Sequence, residues 1–215
     1  TIQSALFTLL AVYATSMNFT IFEISIVTFL LAISGAIAQF PVGKISDFYD
    51  RRKVIIVSTF GAAIFAVFTI FVSGQMYLPD GLATSKIWFY IFFIFFSFCS
   101  LPMFSLILAH TNDYITKDKF VAAGAGLQFV FGLGAISGPF LCSIFMDIVG
   151  SNGFFIFLFF FHSLIGVFGI YRMRIRPTIE NPDSQFVAMP QTITPAGIEL
   201  NPTTEPIEEP IKEEN

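Results

Sequence analysis

The residues best suited to a mechanical role stand together in a short charged stretch, 43–53, between two long apolar runs. It contains Gly43, Asp47, Arg51 and Arg52. An arginine can pair with a carboxylate or with carbonyls of a neighbouring helix, and an aspartate can accept hydrogen bonds from a helix N-terminus. The glycine would let a helix end and let a neighbouring element approach closely. Because such contacts can form in one conformation and break in another, the stretch is either a gate contact or a plain solvated turn.

Other polar residues lie inside or at the ends of apolar runs, where a polar group is costly and therefore a candidate for function. His110 and Asp113 could carry protons as a pair, or they could cap a helix end. Gln128 could hydrogen-bond a solute, or it could pair across a contact between helices. Tyr13 could line the same path or pack as an ordinary aromatic. Gln128 belongs to a helical stripe of mostly small residues: Gly124, Gln128, Phe131, Ala135, Gly138 and Cys142.

The composition indicates that the elements carrying these residues are membrane-spanning helices. Of 215 residues, 55% are hydrophobic and 12% are charged, whereas soluble domains carry about 25% charge. Apolar runs predict six spans at about 2–16, 22–43, 54–73, 87–110, 120–149 and 154–171. A span needs about 20 residues, so the first is short, and we expect a truncated helix with further sequence missing before it. The fold class predicted is all-α integral membrane, and Pro102 should kink the fourth span.

The basic residues predict an orientation. Ten of the eleven Lys and Arg follow spans two, four and six, whereas the other connections contain only Lys86. The positive-inside rule then places stretch 43–53 and the C-terminal tail in the cytoplasm. The tail, 173–215, has three basic and eight acidic residues and is rich in proline, so we expect a disordered, solvated segment.

Several function classes lack support in the sequence. No phosphate-binding loop of the Gly-x-x-x-x-Gly-Lys-Ser/Thr type is present. Cys99 and Cys142 lie inside apolar runs, which favours packing over disulfide or metal chemistry. No basic face is available for nucleic acid. We therefore expect no cofactor, no metal and no nucleic-acid partner.

Two motifs resemble those of the major facilitator superfamily. The pattern Gly-x-x-x-Asp-x-x-x-Arg-Arg from Gly43 resembles motif A, which links the second and third helices of each six-helix half in that family. Phe48 and Asp50 depart from its usual residues, as is typical of the copy in the second half. In span five, Gly134, Gly138 and Pro139 resemble the Gly-x-x-x-Gly-Pro core of motif C.

The resemblance implies the C-terminal half-bundle, helices seven to twelve, of a twelve-helix secondary transporter. Such a protein moves a small solute across the bacterial inner membrane by alternating access, with the missing N-terminal half as its partner. Stretches 39–43, 110–113 and 186–190 are also similar to the bacterial YcaD-like group. Two alternatives stay open: a six-helix scaffold or sensor that transports nothing, and a membrane-embedded enzyme, for which only the pair of His110 and Asp113 comes close.

Overall fold

A computed structural model describes residues 1–75, 82–116 and 119–175, together with Phe186 and Ala188. Its regular elements are helices, as predicted. The predicted tail is helical over 173–175, which extends the last helix beyond its predicted end. Apart from Phe186 and Ala188, the remainder of the tail lies outside the described residues, and its disorder stays a prediction. The helices are α1 Ile2–Ser16, α2 Ile21–Phe48, α3 Arg51–Gln75, α4 Leu82–Ser100, α5 Met103–Asn112, α6 Phe120–Val149 and α7 Gly153–Ile175.

Five spans are long and apolar enough to cross a membrane: α2, α3, α4 together with α5, α6 and α7. The shorter α1 is also apolar. Large apolar side chains on the outside of the bundle, such as Phe40 at 78% and Ile136 at 79% exposure, need lipid or another protein surface around them. The described part of the chain is therefore a bundle of membrane-spanning helices.

The helix that carries Gly43 does not end there, which corrects the expectation from the sequence. α2 runs on to Phe48, and only Tyr49 and Asp50 separate it from α3. Tyr49 is extended, with φ −118° and ψ 162°. Asp50 then caps α3 by accepting a hydrogen bond from the backbone N–H of Arg52 at 3.0 Å. The turn is thus two residues long, because an aspartate side chain starts the next helix immediately.

The fourth predicted span is interrupted at Pro102, where a kink was expected. α4 ends at Ser100 and α5 begins at Met103. Proline has no N–H to donate and disrupts the hydrogen bonds of the preceding turn. Gln3 of α1 compensates, because its Nε2 donates to the carbonyl oxygens of Leu101 at 3.1 Å and Ser100 at 3.4 Å.

The core is aromatic and lies between α1, α4 and α7. Tyr13 stacks on Phe154 and meets Phe155 edge to face, with ring centroids 5.1 and 5.0 Å apart. α3 packs between α4 and α7, while α2 packs on α4 and α6 packs on α1 and α7. This arrangement brings the end of α2, the start of α3 and the end of α5 together at one end of the bundle.

Candidate functional site: a buried charge cluster

Arg51, the first residue of α3, joins the ends of three helices. Its Nη1 donates to Asp113 Oδ1 at 2.7 Å and to the Ala109 carbonyl oxygen at 3.0 Å, both at the C-terminal end of α5. Its Nη2 donates to Asp47 Oδ1 at 2.9 Å, in the last turn of α2. We call Asp47, Arg51, Asp113 and the Ala109 carbonyl the Arg51 cluster.

The cluster is largely removed from water. The side chain of Arg51 is 2% exposed, that of Asp113 is 6% exposed and that of Asp47 is 33% exposed. The carbonyl-rich C-terminal ends of α2 and α5 both favour a cation, and Arg51 supplies it. The planar guanidinium satisfies several acceptors at once in a fixed geometry, which a lysine cannot do. The three helix ends are therefore bound through one side chain.

Arg52 makes a separate, local pair. Its Nε and Nη2 donate to the two carboxylate oxygens of Asp50 at 3.1 and 3.0 Å. Partial burial alone would raise the pKa of the Asp50 carboxyl, but the side-chain and backbone hydrogen bonds from Arg52 outweigh it and hold that pKa below its usual value. Arg51 and Arg52 thus have different tasks, the first between helices and the second within one turn.

The structure gives the predicted partners His110 and Asp113 different neighbours. Asp113 lies against Arg51, whereas the His110 ring meets the Tyr114 ring edge to face, with centroids 5.1 Å apart. His110 also lines an open cavity of about 260 Å³, whose other walls include Arg52 and Arg172. The placement favours a boundary role for His110 near basic groups over proton exchange with Asp113.

The glycines of the predicted packing motif face α1. A Cβ added at Gly138 would overlap Ser4 Oγ and the carbonyl oxygen of Thr1, and one added at Gly134 would crowd Thr1. Ser4 Oγ donates to the Gly134 carbonyl oxygen at 3.1 Å. Pro139 follows inside an unbroken α6. Small residues thus let α1 and α6 come into backbone contact, which is the usual role of such spacing.

The two residues predicted for a solute path occupy different surroundings. Tyr13 is fully buried among aromatic rings of the core, which favours the packing interpretation. Gln128 lies on α6, three residues before Phe131, whose ring meets Phe104 of α5 edge to face. Its amide Oε1 is buried and has no hydrogen-bond partner among the described residues.

Among the long-range contacts that sequence reasoning missed, three join polar side chains of different helices. Asp113 pairs with Arg51 across 62 residues, and Ser100 Oγ lies 3.0 Å from His162 Nε2. At the opposite end of the bundle, Lys86 Nζ lies 2.6 Å from Glu23 Oε1. Each joins two helices whose relative positions no local pattern reveals. Only the third contact had a signal in the sequence, because Lys86 is the one basic residue outside the connections that follow spans two, four and six.

Comparisons of the sequence with known proteins point to one family of membrane proteins. The family model described as Major Facilitator Superfamily matches residues 1–207. An uncharacterized MFS-type transporter of Yersinia enterocolitica is 26% identical over 157 residues, which cover 73% of this chain and 35% of that protein. The uncharacterized MFS-type transporter YfkF of Bacillus subtilis is 26% identical over 152 residues, 68% of this chain and 35% of that protein.

The chain spans about a third of the length of these relatives. No solved structure matches it. The family model covers nearly all of the sequence, and the helices it matches are long, apolar and bundled. The chain thus forms a multi-pass bundle of membrane-spanning helices, and it belongs to the major facilitator superfamily.

Proposed function

We propose that this chain is the C-terminal half of a secondary active transporter that moves a small solute across the bacterial inner membrane by alternating access. The observation that carries the proposal is the Arg51 cluster, in which one buried guanidinium binds the ends of α2, α3 and α5. A transporter of this kind needs parts that move as rigid bodies, and the cluster makes one end of this half rigid.

The cluster is also suited to a change of state. Asp113 and Arg51 are almost completely buried, whereas Asp47 keeps a third of its side-chain surface. We call the contact of Arg51 with each carboxylate an arm of the cluster. The arm to Asp47 is therefore the one that water or another helix reaches first. We propose that this arm opens and closes during transport while the arm to Asp113 persists.

The charges support a cytoplasmic position for this end. Arg51, Arg52 and Arg172 lie at the same end of the bundle, with Arg52 and Arg172 lining one cavity. Lys86, at the start of α4, pairs with Glu23 near the start of α2 at the other end. Basic residues collect on the cytoplasmic side, so the C-terminal tail would be cytoplasmic as well.

Gln128 is our candidate for the solute path. A buried amide oxygen without a partner is costly inside a membrane protein, unless a solute or another part of the protein supplies a donor. The relatives are about three times as long as the segment they share with this chain, and the remaining helices would complete the path. Membership of the YcaD-like group stays a prediction.

The experiment is uptake and efflux by the full-length protein in proteoliposomes, with a broad panel of small solutes. We expect Asp47→Asn and Gln128→Ala each to lower the transport rate severalfold, with Lys53→Gln, an exposed charge beside the cluster, as the control. Unchanged transport in both variants, or no transport of any solute by the wild type, would favour a scaffold or sensor.

A further inference from the structure

Phe186, one of the two described residues of the tail beyond α7, lies against the C-terminal end of α2. The ring of Phe186 lies on Gly43 and packs against a small apolar cluster formed by Val42, Val54 and Leu106. The backbone N–H of Phe186 donates to Asp47 Oδ1 at 2.8 Å, a contact between residues 139 positions apart in the sequence. Phe186 therefore makes one apolar and one polar contact with the same turn of α2.

The site is shaped for an aromatic ring. A Cβ added at Gly43 would fall on the ring atoms of Phe186, so only glycine leaves room for it at this position. Gly43 is buried, as are Val42 and Ser46 on the same helix, whereas Lys44 and Asp47 are exposed, so Gly43 lies at the edge of the buried face of α2. The missing side chain thus leaves a notch beside the exposed surface of α2, and we call this the Gly43 notch.

The notch opens into a larger groove. An open cavity of about 640 Å³ is lined on the α2 side by Ala36, Gln39, Phe40, Gly43, Lys44 and Asp47, and on the tail side by Phe186 and Ala188. The two described tail residues thus form one wall of a groove whose other wall is a single helix.

The docked segment touches the charge cluster directly. Asp47 Oδ1 accepts from both Arg51 Nη2 and the Phe186 N–H. A carboxylate oxygen that accepts two hydrogen bonds is held in a defined orientation. The segment therefore helps to hold Asp47 in the position from which it binds Arg51.

We propose that the C-terminal segment around Phe186 is a self-docking cover for the Gly43 notch, which locks Asp47 into the Arg51 cluster while it is bound. The contact of the Phe186 ring with the notch stabilises the bound state. The hydrogen bond from the Phe186 N–H to Asp47 fixes where the residue lies along α2. Because the segment is tethered to α7, its local concentration is high and a modest affinity is sufficient for docking. Release of the segment would expose the notch and loosen the arm to Asp47. This inference does not depend on the solute.

Cysteine cross-linking in the full-length protein tests the docking without a transport assay. In a background with Cys99→Ser and Cys142→Ala, Ala188→Cys is paired either with Lys44→Cys, which lines the groove, or with Lys53→Cys, which is exposed at the start of α3. A short bis-maleimide is added to membranes. We expect the pair with Lys44→Cys to cross-link about tenfold faster than the pair with Lys53→Cys. The reason is that docking holds the first two sites together, whereas the second two meet only through motion of a flexible chain.

Further changes separate the two contacts. Phe186→Ala should lower the rate for the Lys44→Cys pair toward that of the Lys53→Cys pair. Asp47→Ala should also lower it, whereas Asp47→Asn, which keeps an acceptor oxygen, should retain most of it. Equal rates for the two pairs, or a rate unaffected by Phe186→Ala, would overturn the proposal. Loss of transport with cross-linking intact would count against the transport mechanism and not against the cover.

Discussion

Replacing Arg51 by glutamine should destabilise the bundle far more than the same change at Arg52. Glutamine keeps a hydrogen-bond donor but removes the charge, so Asp113 stays buried at 6% exposure without its cation. Breaking a buried pair by removing one partner costs about 3–5 kcal/mol of unfolding free energy. The pair of Arg52 and Asp50 is local and somewhat more exposed, at 11% and 15%, so Arg52→Gln should cost about 1 kcal/mol.

A double-mutant cycle isolates the contact itself. Asp113→Asn alone leaves Arg51 with an uncompensated charge on that side, while Arg51→Gln with Asp113→Asn removes both charges together. Residues in direct contact show coupling of about 0.5–3 kcal/mol, and the burial on both sides of this pair places our expectation near the upper end, at about 2 kcal/mol. The free energy of unfolding is measured by denaturant titration of the full-length protein in mixed micelles.

Two results would refute the reasoning. If Arg51→Gln destabilised the protein no more than Arg52→Gln, the guanidinium would not hold the helix ends together. If the double variant lost the sum of the two single losses, Arg51 and Asp113 would not interact in solution. Arg51→Lys serves as an internal check, because it keeps the charge but cannot reach several acceptors at once, and it should lie between wild type and Arg51→Gln.

Three further predictions concern other contacts. Gly138→Leu should separate α1 from α6 and cost about 1–3 kcal/mol of unfolding free energy, whereas Gly132→Leu, where an added Cβ meets nothing within 4 Å, should be near neutral. Lys86→Met should lower stability by about 1 kcal/mol in the same titration, because it removes the ion pair with Glu23; an unchanged midpoint would contradict this. Asp50→Asn should lower the melting temperature at neutral pH, and because the folded pKa of Asp50 is depressed, the difference from wild type should shrink only as the pH falls below the ordinary aspartate value. A difference that stayed constant down to about pH 3 would contradict that linkage.

The sequence predicted those features that depend on local composition. Apolar length and the position of the charges predicted helices of membrane-spanning length, and the missing N–H of Pro102 predicted a kink where the structure has a break between α4 and α5. Helix ends were less accurate, because the capping aspartate at position 50 lets α2 run five residues past Gly43. Hydropathy alone predicts a turn over the charged residues that follow Gly43.

The pairing of Arg51 with Asp113 could not be predicted, because it depends on how distant helices pack. Asp47 is four residues from Arg51 and was within reach of sequence reasoning, whereas Asp113 is 62 residues away and only the packing of α5 beside α3 brings it to Arg51. The pairing of Asp113 with His110, which spacing suggested, ignores that neighbour. In the sequence, Phe186 stood out only as part of stretch 186–190, which is similar to the YcaD-like group. Its contact with Gly43 could not be predicted, because it joins the tail to α2.

Accessibility of position 128 from the proposed cytoplasmic side of the membrane is the most direct test of alternating access controlled by the Arg51 cluster. Gln128→Cys, in the background without the native cysteines, is labelled in inside-out vesicles with a charged thiol reagent that does not cross the bilayer. We expect slow labelling with the cluster intact and a severalfold faster rate with Asp47→Asn, because the loosened cytoplasmic end admits water. Equal labelling rates in the two proteins would contradict the account.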